Sequence, residues 1–123
     1  MGIKLVIVDD APFIREALRT LIEKEGFHFL GEASNGEEAV DLVLKKNPDV
    51  VLMDLVMPKK NGIEATKEIL AKNPKIKIVA CSTEGQDEML ITAIQAGCTG
   101  FVTKPFESKK LIEAIQLAIS KKE

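Results

Sequence analysis

Short apolar runs alternate along the chain with longer stretches in which apolar side chains recur every three or four positions. The runs cover residues 4–8, 29–33, 50–53, 76–81 and 100–103. Leu5-Val6-Ile7-Val8, Val50-Val51-Leu52-Met53 and Ile78-Val79-Ala80-Cys81 contain no charged or strongly polar residue. Each therefore predicts a strand buried on both faces, as in a parallel sheet covered by helices. The run around His28-Phe29-Leu30-Gly31-Glu32 is more polar and suits an edge strand.

The intervening stretches carry helix punctuation. The first places Pro12 at the opening turn, an apolar stripe at Ile14, Leu18, Leu21 and Ile22, and Gly26 as the stop. The second pairs Asn35 with Glu38, a capping-box spacing, buries Ala39, Val40, Val43 and Leu44, and ends before Asn47-Pro48. The third repeats the device with Asn61 and Glu64, carries Ile63, Ile69 and Leu70, and stops before Asn73-Pro74. A fourth spans residues 86–96 and closes at Gly97. A fifth, over residues 108–121, presents Leu111, Ile115, Ala118 and Ile119 on one face.

Strict alternation of this kind predicts an α/β fold of (βα)5 type: a doubly wound parallel five-stranded sheet with right-handed crossovers and helices on both faces. For five strands the common doubly wound order is 2-1-3-4-5. Ligands in such sheets bind at the carboxyl ends of the strands where the order reverses, here between the first and third. With no Pro/Gly/Ser-rich linker and no repeat, residues 1–123 are expected to form a single domain.

Composition narrows the function classes. A hydrophobic fraction of 46% and a charged fraction of 29% are ordinary for a soluble domain. Aromatics make up 4%, with no Trp or Tyr, so no base-stacking surface is expected. A formal net charge of −2 argues against nucleic acid or an anionic membrane as partner. No apolar run approaches the roughly 18 residues of a spanning helix, so a cytoplasmic protein is expected. Cys81 and Cys98 lack metal-site spacing and predict small, buried or half-buried thiols. His28, Met57, Met89 and the lysines at 109, 110, 121 and 122 are expected to be structural or solvated.

The chemistry lies at the predicted carboxyl ends of the strands. Asp9-Asp10 follow the first, Asp54 the third, Ser82-Thr83 the fourth and Thr103-Lys104-Pro105 the fifth. Any one of these has an ordinary explanation: an Asp after a strand often caps a helix or opens a turn, and a Ser caps local backbone. Together they place three carboxylates, hydroxyls and an ammonium on one rim. Two unit charges about 4 Å apart repel by roughly 4 kcal/mol at an effective dielectric near 20. Such a cluster must either retain a proton or hold a cation, and oxygen ligands favour a hard ion such as Mg2+. Beside that ion Asp54 is placed to act as a nucleophile toward phosphorus, with Lys104 and Ser82 as donors to the phosphoryl oxygens.

The stretches Ile7-Val8-Asp9-Asp10-Ala11-Pro12-Phe13-Ile14-Arg15, Met53-Asp54-Leu55-Val56-Met57-Pro58, Asn61-Gly62, Cys81-Ser82, Ala96-Gly97 and Lys104-Pro105-Phe106 run from the first strand to the last helix. In combination they resemble the response-regulator receiver family, whose fold is flavodoxin-like, and most closely its stand-alone, CheY-like chemotaxis members. The resemblance implies that Asp54 accepts a phosphoryl group from a histidine kinase. It implies that Asp10 binds Mg2+ directly, Asp9 largely through water, and that the backbone carbonyl of Val56 adds a ligand. Ser82 and Lys104 would hold the phosphoryl oxygens, and Phe101 stands where the family carries a switching aromatic. A cis Lys104-Pro105 bond is expected. Thr83 occupies a position usually held by Ala or Gly, while Val56 and Glu84 flank the path of attacking water. These three are expected to tune the phosphorylation and hydrolysis rates.

The implied output is a protein-binding surface made by the fourth helix, fifth strand and fifth helix. Its reader would be a flagellar motor switch or a phosphorelay component, and a monomer is expected. Two rivals share some of these features. A haloacid-dehalogenase-type phosphohydrolase needs a second Asp two residues after its nucleophile, and Val56 stands there. A receiver-like scaffold that never takes phosphate would have no use for mutually repelling acids. The chain is therefore expected to catalyse only its own Mg2+-dependent phosphorylation and slow autodephosphorylation, not turnover of small molecules.

Overall fold

The computed structural model describes residues 2–120. Five strands, β1 (Lys4–Val8), β2 (His28–Ala33), β3 (Val50–Asp54), β4 (Lys77–Thr83) and β5 (Gly100–Lys104), alternate with five helices. These are α1 (Pro12–Lys24), α2 (Gly36–Lys46), α3 (Gly62–Lys72), α4 (Asp87–Gln95) and α5 (Ser108–Ser120). All strand pairs are parallel and the order is β2-β1-β3-β4-β5, as the pattern predicts. Lys121 and Lys122 lie outside the described residues, while Lys109 and Lys110 are exposed, as expected of a solvated face.

The period-two alternation of the central strands divides the core in two. Val6, Val8, Val51, Met53, Ile78 and Ala80 face α2, α3 and α4, packing on Ala39, Val43, Ala65, Ile69 and Ala93. Leu5, Ile7, Val50, Leu52, Val79 and Cys81 face α1 and α5, packing on Leu18, Ile22, Leu111, Ile115 and Ala118. Every residue of β3 is buried, which is why that strand carries no alternating pattern. Met57 and both cysteines are buried, Met89 packs on the first cluster, and His28 is exposed on the edge strand β2.

Helix ends follow the punctuation with one substitution of partner. Around α3 the capping box is complete: Glu64 N–H donates to Asn61 Oδ1 (2.9 Å) and Asn61 N–H to Glu64 Oε1 (3.2 Å). At α2 only half forms. Glu38 N–H donates to Asn35 Oδ1 (3.0 Å), but the Glu38 carboxylate accepts from the Ser34 N–H and hydroxyl instead. Those two donors hold the Glu38 carboxyl below the usual range. Asn47 ends α2 in the left-handed conformation (φ 53°), which Asn tolerates better than most residues.

Three expectations need correction. Ile119 is 37% exposed, because the last turn of α5 reaches past the amino-terminal ends of the strands. There it borders a shallow cavity with Asn47, Pro48, Asn73 and Ile76. Leu44 is only partly buried, at the flank of α2. Strands β3 and β4 run one and two residues past their last apolar residue, taking in Asp54, Ser82 and Thr83. The ladder there is set by neighbouring strands, with Asp54 opposite Cys81, Ser82 opposite Thr103 and Thr83 opposite Lys104. Among the described residues no helix is long and apolar enough to cross a membrane.

Candidate functional site

Because β1 and β3 are neighbours whose helices leave on opposite faces, their carboxyl ends open a crevice that no crossover covers. Asp9 and Asp10 stand on one side of it and Asp54 on the other. One carboxylate oxygen from each lies within 4.8 Å of the other two.

Asp9 is fixed on every side. Its N–H donates to the Ala33 carbonyl of β2 (3.1 Å) and its Oδ1 accepts from Ala11 N–H (2.9 Å). Its carbonyl accepts from an Arg15 guanidinium N–H (2.7 Å), and Arg15 is itself paired with Glu32 on β2. Its Oδ2 accepts from Lys104 Nζ (2.6 Å). Asp9 is only 1% exposed, so this pair is the principal neutralising contact of the buried carboxylate. Asp10, by contrast, is exposed.

Asp54 is 7% exposed, accepts a long hydrogen bond from Val56 N–H (3.3 Å), and lies 3.6 Å from Lys104 Nζ. Burial, and then the Asp9 charge, push its carboxyl up to about 6, against the opposing pull of Lys104. Burial works to lower the Lys104 ammonium, but the Asp9 hydrogen bond and the charges of Asp54 and Asp9 outweigh it and leave it raised. Burial and crowding thus raise the affinity of one carboxyl for a proton.

The floor of the crevice depends on close backbone approach. A Cβ on Gly62 would lie 2.1 Å from the Asp54 carbonyl oxygen, and Gly62 N–H bonds the Leu55 carbonyl (3.1 Å). Only glycine lets the first turn of α3 close against the residue after Asp54. Ser82 is buried one rung beyond the Asp54–Cys81 pair, whereas Val56, Thr83 and Glu84 are exposed at the rim. The Lys104-Pro105 bond is cis. Phe101 lies apart from the acids on β5, opposite Ala80 and 48% exposed. With Ile94, Cys98, Ala114 and Leu117 it lines a cavity of about 370 Å3. Arg15 and Gln86, to which the sequence pattern assigned no role, also belong to the site. Arg15 had a signal, an arginine one turn into a helix that starts beside two acids, while Gln86 had none.

The oxygen-only trio suits a hard cation, with no His or Cys to favour zinc. Adjacent octahedral ligands of Mg2+ at about 2.1 Å lie about 3 Å apart, so oxygens within 4.8 Å of one another need to close by up to about 2 Å, or one must act through water. The residues present therefore fit the ion.

Fold and crevice together define a doubly wound α/β protein with a cluster of three carboxylates at its switch point. The chain belongs to the response regulator receiver domain family, whose sequence pattern matches residues 5–116. It is 47% identical over 115 residues to the chemotaxis protein CheY of Thermotoga maritima, covering 94% of this chain and 96% of that one. Among solved structures, the response regulator domain of Thermotoga maritima CheB superposes with a TM-score of 0.92 at 32% identity, covering all of both chains. The CheX–CheY–BeF3–Mg2+ complex from Borrelia burgdorferi matches with a TM-score of 0.90 at 27% identity, covering 97% of this chain and 90% of that one. The chain is thus a CheY-like receiver domain of the two-component type, and a haloacid-dehalogenase-type phosphohydrolase is set aside.

Proposed function

We propose that this chain, acting as a single receiver domain over residues 1–123, accepts a phosphoryl group on Asp54 from a kinase phosphohistidine. The observation that carries the proposal is the trio Asp9, Asp10 and Asp54 with Lys104 Nζ 3.6 Å from the Asp54 carboxylate. Bound Mg2+, held by Asp10, Asp54 and the Val56 carbonyl with Asp9 acting largely through water, would neutralise charge on the phosphoryl oxygens. A carboxylate oxygen of Asp54 attacks phosphorus, the P–N bond breaks, and its electron pair returns to the imidazole nitrogen. The products are an acyl phosphate on Asp54 and a free histidine. Lys104 exchanges its bond to Asp9 for a phosphoryl oxygen, and the Ser82 hydroxyl donates to another. Hydrolysis is attack of water on the same phosphorus, and Val56, Thr83 and Glu84 at the rim govern its access.

The signal follows from the ladder. Drawing Ser82 toward the anion vacates space beside β5, and Phe101 rotates inward from its exposed position. That changes the face formed by α4, β5 and α5, where Ile94, Phe101 and Leu117 are exposed. A downstream protein of the flagellar motor switch or a phosphorelay reads this face.

The test is incubation with acetyl phosphate and Mg2+. The expected result is a mass gain of one phosphate, stable to acid, removed by hydroxylamine and missing from Asp54→Asn. Absence of that gain in the unaltered protein would overturn the assignment.

A further inference from the structure

We infer that Gln86 controls how readily the site takes its anion, by occupying a main-chain donor that faces the phosphoryl position. This inference rests on the phosphoacceptor assignment of Asp54.

The β3–β4 ladder fixes where that donor points. Lys77 N–H bonds the Asp49 carbonyl and the Cys81 carbonyl accepts from Leu55 N–H, so the odd-numbered residues of β4 turn their main-chain groups toward β3. Thr83 is the next odd residue after Cys81, and its N–H points toward the end of β3, beyond Asp54. In an unbroken ladder its partner would be the Leu55 carbonyl. That oxygen instead accepts from Gly62 N–H (3.1 Å), because β3 has already turned into the loop leading to α3.

Thr83 N–H is therefore the first ladder donor released at the mouth of the crevice. It donates to Gln86 Oε1 at 2.9 Å, across a turn in which Gly85 takes φ +86°. Lys104 is in a parallel situation, held by Asp9 at 2.6 Å. Two donors that an anion on Asp54 would recruit are thus each engaged by an internal acceptor. The Asp9 contact is an ion pair, and the Gln86 contact is a neutral bond from a half-buried side chain at the open end of α4. Gln86 is the weaker of the two and the one free to leave. It acts through the Thr83 amide and is a positioning residue.

The probe is beryllofluoride with Mg2+, a phosphoryl mimic, titrated by amide chemical shifts into the unaltered protein, Gln86→Met, Gln86→Glu and Asp87→Ala. Removing a neutral competing hydrogen bond is expected to tighten binding by roughly three- to tenfold in Gln86→Met. Gln86→Glu keeps the acceptor and adds repulsion, so it should bind more weakly than the unaltered protein. Asp87→Ala loosens the same first turn of α4 without freeing Thr83 N–H, and is expected to give no gain. In the unaltered protein, the Gln86 side-chain amide resonances should move as the mimic binds, a readout that needs no variant to fold.

Equal affinities for the unaltered protein and Gln86→Met would overturn the inference. So would an equal gain from Asp87→Ala, or Gln86 amide resonances that stay fixed. If the unaltered protein takes up no beryllofluoride at all, the phosphoacceptor assignment itself falls.

Discussion

Asp54→Asn should make this protein more stable at neutral pH, and the gain should disappear on acidification. Asp54 is almost fully buried, faces Asp9, and has its carboxyl pushed from an ordinary 3.8 up to about 6. Between those values the folded state binds the proton more tightly than the unfolded chain does. The contribution of Asp54 to stability therefore falls as pH rises through that window and is lowest above it. At about 1.4 kcal/mol per pH unit, the full displacement corresponds to roughly 3 kcal/mol. Relaxation around an asparagine, and loss of the attraction to Lys104, reduce the expected gain to about 2 kcal/mol. With a urea slope near 2 kcal/mol/M, that moves the midpoint upward by about 1 M.

The chain has no Trp or Tyr, so unfolding is best followed by far-ultraviolet circular dichroism. Because both proteins share every other carboxyl, the difference curve between pH 7.5 and 4 isolates this one. Mg2+ should narrow the gap at pH 7.5 by stabilising the unaltered protein preferentially. A variant no more stable than the unaltered protein at pH 7.5, or a gain that does not shrink toward pH 4, would refute the claim that the carboxylates are crowded against one another.

Lys104→Met should cost roughly 2–4 kcal/mol in urea unfolding at pH 7 without Mg2+, since it strands the buried Asp9 carboxylate. The same variant should bind Mg2+ more tightly by calorimetry, because a competing cation is gone. Gly62→Ala should lose about 3 kcal/mol in the same unfolding experiment, since its Cβ would sit 2.1 Å from the Asp54 carbonyl oxygen. A loss under 1 kcal/mol would show that α3 can shift. Asn61→Ala removes one side of the complete capping box and should lower stability by about 1 kcal/mol, with no change in Mg2+ affinity.

What the sequence made legible is what hydrophobic burial dictates. Leu5 to Val8 and Val50 to Met53 are apolar without a break because both faces of β1 and β3 are covered, and that alone predicted the sheet type. The rim position of Asp9, Asp10 and Asp54 followed from their place after those runs. Less legible was anything set by a partner distant in sequence. Asp54, Ser82 and Thr83 look like loop residues by polarity, yet they stay in the ladder because Cys81, Thr103 and Lys104 stand opposite. The Asn35–Glu38 and Asn61–Glu64 pairs are identical in spacing, but Ser34 supplies two donors that draw Glu38 away, and no such residue precedes Asn61. Gln86 was beyond reach, since its bond to Thr83 depends on where β3 leaves the sheet.

The charge inventory bears on how crowding would serve the proposed switch. With every group ionised, Asp9, Asp10 and Asp54 against Lys104 leave the crevice at −2, which one divalent cation cancels. Replacing the Asp54 carboxylate by an acyl phosphate then adds about one further negative charge, displaced outward from the buried carboxyl oxygen. Phosphorylation as proposed would thus take a cation-loaded site from neutral to about −1. It would also move the anion from a position that Lys104 already reaches toward one that faces the ends of β4 and β5. The groups that would respond, the Lys104 ammonium, the Ser82 hydroxyl and the Thr83 N–H, sit on the last rungs of those two strands. The same two strands carry Ala80 and Phe101 as a facing pair two rungs back from Ser82 and Thr103. A displacement of one charge at the crevice therefore enters the sheet at the strands that border the exposed apolar face. With a neutral residue in place of Asp9, Lys104 would have no second carboxylate to leave, and less would move on phosphorylation.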